Sequence, residues 1–199
     1  MAGGQQTFVA GNVLTAAQVN AYLMDQALMR VTSGTRPTAA AQGGALLTGM
    51  SIVETDNLAV CTYNGTNWIQ TTTEAASVTT SETTTSGAFT NLATVGPSVT
   101  ITTGTAAMVF LECAFGHTTV TAVNNVGFAV SGASTIAAQT ISSIMDDQTG
   151  ASGVRRRFGG FFRVTGLTAG ANTFTMRYVT NAATATFSDR HIAAIGLMS

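Results

Sequence analysis

From Gly87 to Ser199 the chain is a succession of short strand patterns divided by polar, glycine-containing breaks, and few folds can satisfy such a run. The expected strands fall at 88–92, 98–103, 106–115, 123–130, 155–165, 172–180, 184–187 and 191–198. Phe174, Met176 and Tyr178 alternate with Thr175, Arg177 and Val179, the period of a strand with one buried face. Leu167, Thr168, Ala169, Gly170 and Ala171 read as a turn between two strands. Roughly eight strands in about 113 residues predict an antiparallel β-sandwich, jelly-roll-like, because closing two sheets on each other buries one face of each. The segment 131–152 is expected to be a polar loop, with at most a short strand at 138–144.

The upstream half is organised differently. Residues 1–12 are rich in glycine and glutamine and read as an arm. Thr15 is a good N-cap and Gln18, three residues on, completes a capping box. Val19, Tyr22, Leu23 and Ala27 then form one apolar row at helical spacing, and Met24, Leu28 and Val31 a second. Arg30 suits the end of a helix, and Ser33-Gly34 stops it. A helix of about 17 residues is marginal alone in water, so Val19, Tyr22, Leu23, Met24, Leu28 and Val31 are the expected docking or oligomerisation face. The plainer alternative is packing on the chain's own C-terminal domain.

Residues 35–70 are a linker followed by a small β-hairpin module. Strands are expected at 50–54 and 58–63, joined by Thr55-Asp56-Asn57, and Asn64-Gly65 signals a type I′ turn into a third strand at Trp68-Ile69. Residues 71–86, rich in Thr and Ser, hold almost no large apolar side chain and read as a linker with at most an extended strand at its end. The expected fold is therefore mainly β: arm and helix over 1–34, linker and hairpin module over 35–70, linker over 71–86, and β-sandwich over 87–199.

Charge limits the function classes. Charged residues are 9% of the chain, where a soluble domain carries about 25%, so much of the surface relies on Thr, Ser, Asn and Gln or on contact with other subunits. All eight basic residues are arginine. Codon usage in a GC-rich genome explains that, and so does a surface in lasting contact with protein, where Lys is depleted and Arg enriched. The net charge of −1 offers no field for nucleic acid or an anionic membrane. No basic residue lies between Pro37 and Val154, whereas Arg155, Arg156 and Arg157 follow immediately. Pairing of these arginines with the acidic middle, Asp146 and Asp147 included, within or between subunits, is the expected use.

Catalytic chemistry finds little to build on. His117 and His191 are the only histidines, and no Gly-x-Ser-x-Gly elbow occurs. Asp146-Asp147 could pair for metal or glycoside chemistry, but an exposed turn is the better reading; a calcium site built from distant loop oxygens stays open. Cys61 and Cys113 form no metal or redox motif and read as small buried hydrophobes. Tyr63 and Trp68 offer a stacking surface for a glycan, weighed against a role as the hairpin's own core. The N-terminus lacks the pattern of a secretory signal, and the longest apolar run, 106–115, is too short to span a bilayer. The expectation is a non-enzymatic chain made in a cytoplasm, with no cofactor, metal, nucleic acid or membrane partner.

Three stretches carry a resemblance. Residues 8–20, FVAGNVLTAAQVN, resemble the opening of minor tail and related virion proteins of phages of actinobacteria. Gly49-Met50, Asp56-Asn57-Leu58 and Tyr63-Asn64-Gly65-Thr66-Asn67-Trp68 are similar to a hairpin module recurrent in phage tail and fibre proteins. Residues 157–197, with Gly166, Leu167 and Gly170 in a turn and Arg190 and Ile192 in a strand, resemble the closing strands of phage fibre and head-spike sandwiches. The resemblance implies a structural virion protein, commonly a homotrimer, located in the virion and contacting other virion proteins. A tail-associated fibre or minor tail subunit anchored by its N-terminus is the first expectation. A capsid-borne head fibre or decoration protein, and a carbohydrate-binding module for the host surface, are the alternatives.

Overall fold

The structure, a computed structural model, describes residue 15 and residues 29–38, 46–118, 122–148, 154–181 and 184–197. The chain divides into two compact units, Met1–Thr72 and Thr73–Ser199. Among the described residues no helix is long and apolar enough to cross a membrane.

The first unit is a four-stranded sheet in the order β1-β2-β3-β4. Strand β1 (Met29–Val31) runs parallel to β2 (Ser51–Glu54), and β3 (Val60–Tyr63) and β4 (Trp68–Gln70) follow antiparallel. Ile52, Ala59, Cys61 and Trp68 form its core, with Met29, Val31, Leu46, Met50 and Tyr63 packed against them. This corrects the expected helix at its C-terminal end. Met29, Arg30 and Val31 form a strand, because pairing with the edge of β2 satisfies their backbone while Met29 and Val31 pack on the hairpin core. The rest of the expected docking face, Val19, Tyr22, Leu23, Met24 and Leu28, lies outside the described residues. The turn into β4 also differs. Tyr63 pairs with Trp68, so Asn64 to Asn67 make a four-residue loop in place of a two-residue type I′ turn. The Asn64 side chain accepts the backbone N–H groups of Thr66 and Asn67 at 3.0 and 2.8 Å, which stabilises the wider loop.

Polar side chains tie the incoming segment to this sheet. Asp56 accepts the backbone N–H of Ser33 at 3.0 and 3.1 Å and its hydroxyl at 2.6 Å. Glu54 is fully buried, ion-paired with Arg36, and takes a hydrogen bond from Asn57 at 2.7 Å. The hairpin unit therefore has a buried carboxylate beside its apolar core, paired with an arginine that stays partly exposed.

The second unit holds β5 (Glu74–Val78), β6 (Glu82–Thr84), β7 (Ser98–Thr103), β8 (Ala106–His117), β9 (Ala122–Gly132), β10 (Ser143–Gln148), β11 (Arg156–Thr165), β12 (Gly170–Thr180) and β13 (Ala185–Leu197). One sheet has the order β10-β9-β12-β7; the other is β11-β8-β13-β5, with β6 continuing β5 along β13. All the pairings are antiparallel. Apart from the β9–β10 hairpin, every step from β7 to β13 crosses between the sheets, which is jelly-roll connectivity. Inward-facing Val109, Leu111, Cys113, Phe115, Val126, Phe128, Phe174, Met176, Tyr178, Phe187 and Ile192 are buried in one core between the sheets.

Four expectations need correction here. Residues 71–86 are no mere linker: β5 and β6 lie there, because pairing with β13 supplies what their side chains do not. Residues 88–92 make no strand beyond a single bridge from Thr90 to Tyr178. The two last segments are one strand, β13, bent by a bulge between Ser188 and His191 with Asp189 at φ 47°. The polar loop is shorter than expected, since β10 covers Ser143–Gln148 and pairs with β9.

The outer faces of the two sheets are unlike. On the β10-β9-β12-β7 face, Gly127 leaves room for the Phe89 ring and the Gln139 carbonyl, which would lie 3.2 and 3.4 Å from a Cβ there. The other face, across β5, β13, β8 and β11, carries half-buried and exposed side chains, Ala75, Ser77, Phe110, Glu112, His191 and Ala193 among them.

Candidate functional site

Two surfaces of the second unit stand out, and both follow from strand register. The first is the side where the two edge strands β10 and β11 meet. Gly160 on β11 permits this meeting, since a Cβ there would fall 2.9 Å from a methyl of Ile144 on β10. Ile141 and Met145 lie before and on β10, and Val154, Phe158 and Phe161 before and on β11. All five are exposed, Ile141 by 85% and Phe161 by 73%. Of the large apolar side chains exposed among the described residues of this unit, only Val95 lies elsewhere. Exposed Phe, Met, Ile and Val side chains near arginines have the composition of a protein contact surface, although Phe158, against Phe115, and Phe161, against Phe110, project from opposite faces of β11.

The arginine run sits on this side, at the start of β11. Arg157 pairs with Glu112 at 3.2 Å and with Asp189 at 3.5 Å, and Arg155 with Asp189 at 3.5 Å and with the Ser188 hydroxyl. Their partners are thus Glu112, within the acidic middle, and Asp189 beyond it, both of the same chain. Arg156 is exposed. Asp146 is 1% exposed on β10, beside Asn124 on β9, and Asp147 next to it is exposed. The expected Asp-Asp turn is therefore a strand whose two carboxylates point to opposite faces.

The second surface is the outer face of the β11-β8-β13-β5 sheet. Register sets two rows side by side across its strands. One runs Ser77, His191, Glu112, Gly159; the other runs Ala75, Ala193, Phe110, Phe161. Between β5 and β8, over β13, these rows enclose a shallow groove of about 300 Å³. Phe110 stacks on Phe161 with centroids 4.8 Å apart and planes at 42°. No hydrogen bond or ion pair ties the His191 or Ser77 side chain to another described residue. No sequence signal marked this groove, because its residues come from three strands far apart in the chain.

The expected stacking pair is differently placed. Trp68 is 7% exposed and its indole N–H donates to the Pro37 carbonyl at 3.0 Å. Tyr63 lies tilted against it with centroids 5.3 Å apart. The two rings serve the hairpin core, so Trp68 has no free face for a sugar. Among the described residues, no three of His, Cys, Asp or Glu gather as a metal-ligand set.

Both cysteines are fully buried and free. Burial pushes each thiol up to about 12. In the native protein both are expected to resist a thiol reagent at neutral pH, reacting at least about a hundredfold more slowly than in urea. A stopped-flow trace with fast native modification of either would contradict this.

No family model matches the sequence, and no curated protein matches it. Among solved structures the chain is similar to the VP2 subviral particle of infectious bursal disease virus, with 11% identity and a TM-score of 0.46 over 62% of this chain and 32% of that one. It is similar to the Gx strain of that virus, with 13% identity and a TM-score of 0.46 over 74% and 37%. An exo-beta-1,3-galactanase from Phanerochaete chrysosporium, with galactose, follows at 16% identity and a TM-score of 0.28 over 67% and 32%. The chain spans about a third of the length of these structures, and likenesses of this strength carry no argument about its activity.

Proposed function

We propose that the chain is a non-enzymatic structural subunit of a bacteriophage particle, a homotrimeric tail-associated fibre or minor tail protein anchored by its N-terminal segment. The observation that carries the assembly part is the concentration of exposed large apolar side chains along the β10 and β11 edge strands, Ile141, Met145, Val154, Phe158 and Phe161. Water contact with such a cluster is unfavourable, and covering it with another subunit removes that cost. The low charge of the chain and the absence of lysine suit a surface held in contact with protein. The phage part rests on the resemblance of residues 8–20, of the hairpin module and of residues 157–197. A capsid-borne head fibre or decoration protein needs the same architecture, and gold labelling of particles separates the two addresses.

Light scattering during size exclusion tests the assembly. The expected mass is three times the 20.3 kDa of the chain. Phe161→Glu is expected to weaken self-association by roughly thirtyfold or more, as loss of an aromatic anchor at an interface centre does. It should lower the unfolding free energy of the second unit in urea by no more than about 1 kcal/mol, the loss of its ring contact with Phe110, because the ring lies outside the core. A monomeric wild-type protein at all concentrations would defeat the trimer reading.

A further inference from the structure

We infer that the groove on the outer face of the β11-β8-β13-β5 sheet is a binding site for a neutral hexopyranose unit of a glycan. The site borders the β10–β11 side and shares Phe161 and Arg157 with it, but the groove itself lies over β13, and sugar binding is read separately from assembly. It begins with the two rows. Residues two apart on a strand lie roughly 7 Å apart on one face, and neighbouring strands roughly 4.8 Å. The apolar row of Ala75, Ala193 and Phe110 therefore lies alongside the polar row of Ser77, His191 and Glu112 at about the width of a sugar ring. A hexopyranose is itself two-faced: its C–H groups form an apolar face and its hydroxyls project from the rim.

Each part of the groove fits that shape. Ala193 and Ala75 keep the floor low, so the ring can approach the sheet. Phe110 forms the aromatic wall, and the negative face of such a ring attracts C–H groups. That wall is braced from behind. Phe161 stacks on it, and Gly159 gives it space, since a Cβ at 159 would lie 3.3 Å from the Phe110 ring. Glu112 supplies hydrogen-bond acceptors and is held by Arg157 at 3.2 Å. His191 and Ser77 supply groups that no described residue occupies. The carboxylate of Glu112 repels phosphates and acidic sugars, and Arg157 is already engaged with it, which favours a neutral ligand. A volume of about 300 Å³ holds one ring with its hydroxyls.

The test uses the full chain with free glucose, galactose, mannose and N-acetylglucosamine, read by saturation-transfer and amide-shift NMR. At least one is expected to bind with a Kd in the millimolar range, as suits a small ligand in an open groove. Its shifts should centre on residues 75–77, 110–112 and 191–193. Ala193→Phe fills the floor from the outer face and is expected to weaken binding at least about tenfold, and His191→Ala by about fivefold. Glu112→Asp should retain more affinity than Glu112→Ala. Absence of binding by all four sugars to the folded wild type, or shifts centred outside the groove, overturns the inference. Unchanged affinity in Ala193→Phe with an unperturbed amide spectrum does the same. Should a variant fail to fold, the shift map of the wild type still decides. Assembly is read separately by mass, so loss of one reading leaves the other standing.

Discussion

Replacing Arg190 by methionine is expected to destabilise the second unit by about 3–5 kcal/mol, the cost of removing one partner from a buried ion pair. The Arg190 side chain is fully buried, and Glu82, its partner at 2.9 Å, is 12% exposed. The guanidinium also donates to the carbonyls of Thr80, Thr94 and Gly96 at 3.3, 3.4 and 3.5 Å and lies 5.4 Å from the centre of the Tyr178 ring. It thus binds β13 to β6 and to the segment before β7. Methionine fills much of the volume but removes the donor to the Thr80 and Thr94 carbonyls and the cation beside Glu82. Gly96 keeps the Tyr178 hydroxyl at 2.7 Å, and Glu82 keeps the Thr94 N–H and hydroxyl at 2.9 and 2.6 Å. Adding Glu82→Gln should recover part of the loss, because the stranded charge is then gone. Urea unfolding of the single and double variants measures both effects. A loss below about 1 kcal/mol for Arg190→Met would show that water replaces the guanidinium freely.

Glu54→Ala is expected to have an effect of similar size, about 2–4 kcal/mol, but confined to the hairpin unit. Glu54 is fully buried, while the Arg36 side chain is 25% exposed, so water relieves the abandoned arginine in part. Burial pushes the Glu54 carboxyl up, but hydrogen bonds from Arg36 and Asn57 outweigh it and hold the group below its ordinary value of 4.5. A carboxyl held low in the folded state stabilises it fully at neutral pH. That contribution fades as pH falls below about 4.5 and through the folded value. The hairpin unit of the wild type should therefore weaken on acidification, and Glu54→Ala should reduce that dependence, leaving the part due to Asp56, which hydrogen bonds from Ser33 also hold low. Trp68 fluorescence reports this transition, since the chain's only tryptophan lies in the hairpin core. Equal acid sensitivity with and without Glu54 would assign the effect to another group.

The sandwich was legible because its long strands keep a period of two, as Phe174, Met176 and Tyr178 show by facing the core. The hairpin strands were legible from their turn residues. Residues 74–84 were not, since a strand that borrows its partners from β13 needs few apolar side chains of its own. Met29–Val31 fitted a helical period of apolar residues equally well, and only the free edge of β2 decided between the two. Arg190 was legible as a strand residue, but its complete burial depends on carbonyls contributed by residues 80–96. The groove was hidden for the same kind of reason. Ser77, Glu112 and His191 are scattered in sequence and become one row only through register.

The place of β13 has a consequence for how such a chain can be made. It comes after every other strand, yet it lies inside its sheet, with β8 on one side and β5 and β6 on the other. During synthesis, the earlier partners leave the ribosome with no middle strand to join them. The nascent sandwich therefore waits, its inner faces uncovered, until β13 emerges. Closure then joins residues more than a hundred positions apart, such as Ser77 with His191, a long-range step that sets a slow pace for folding.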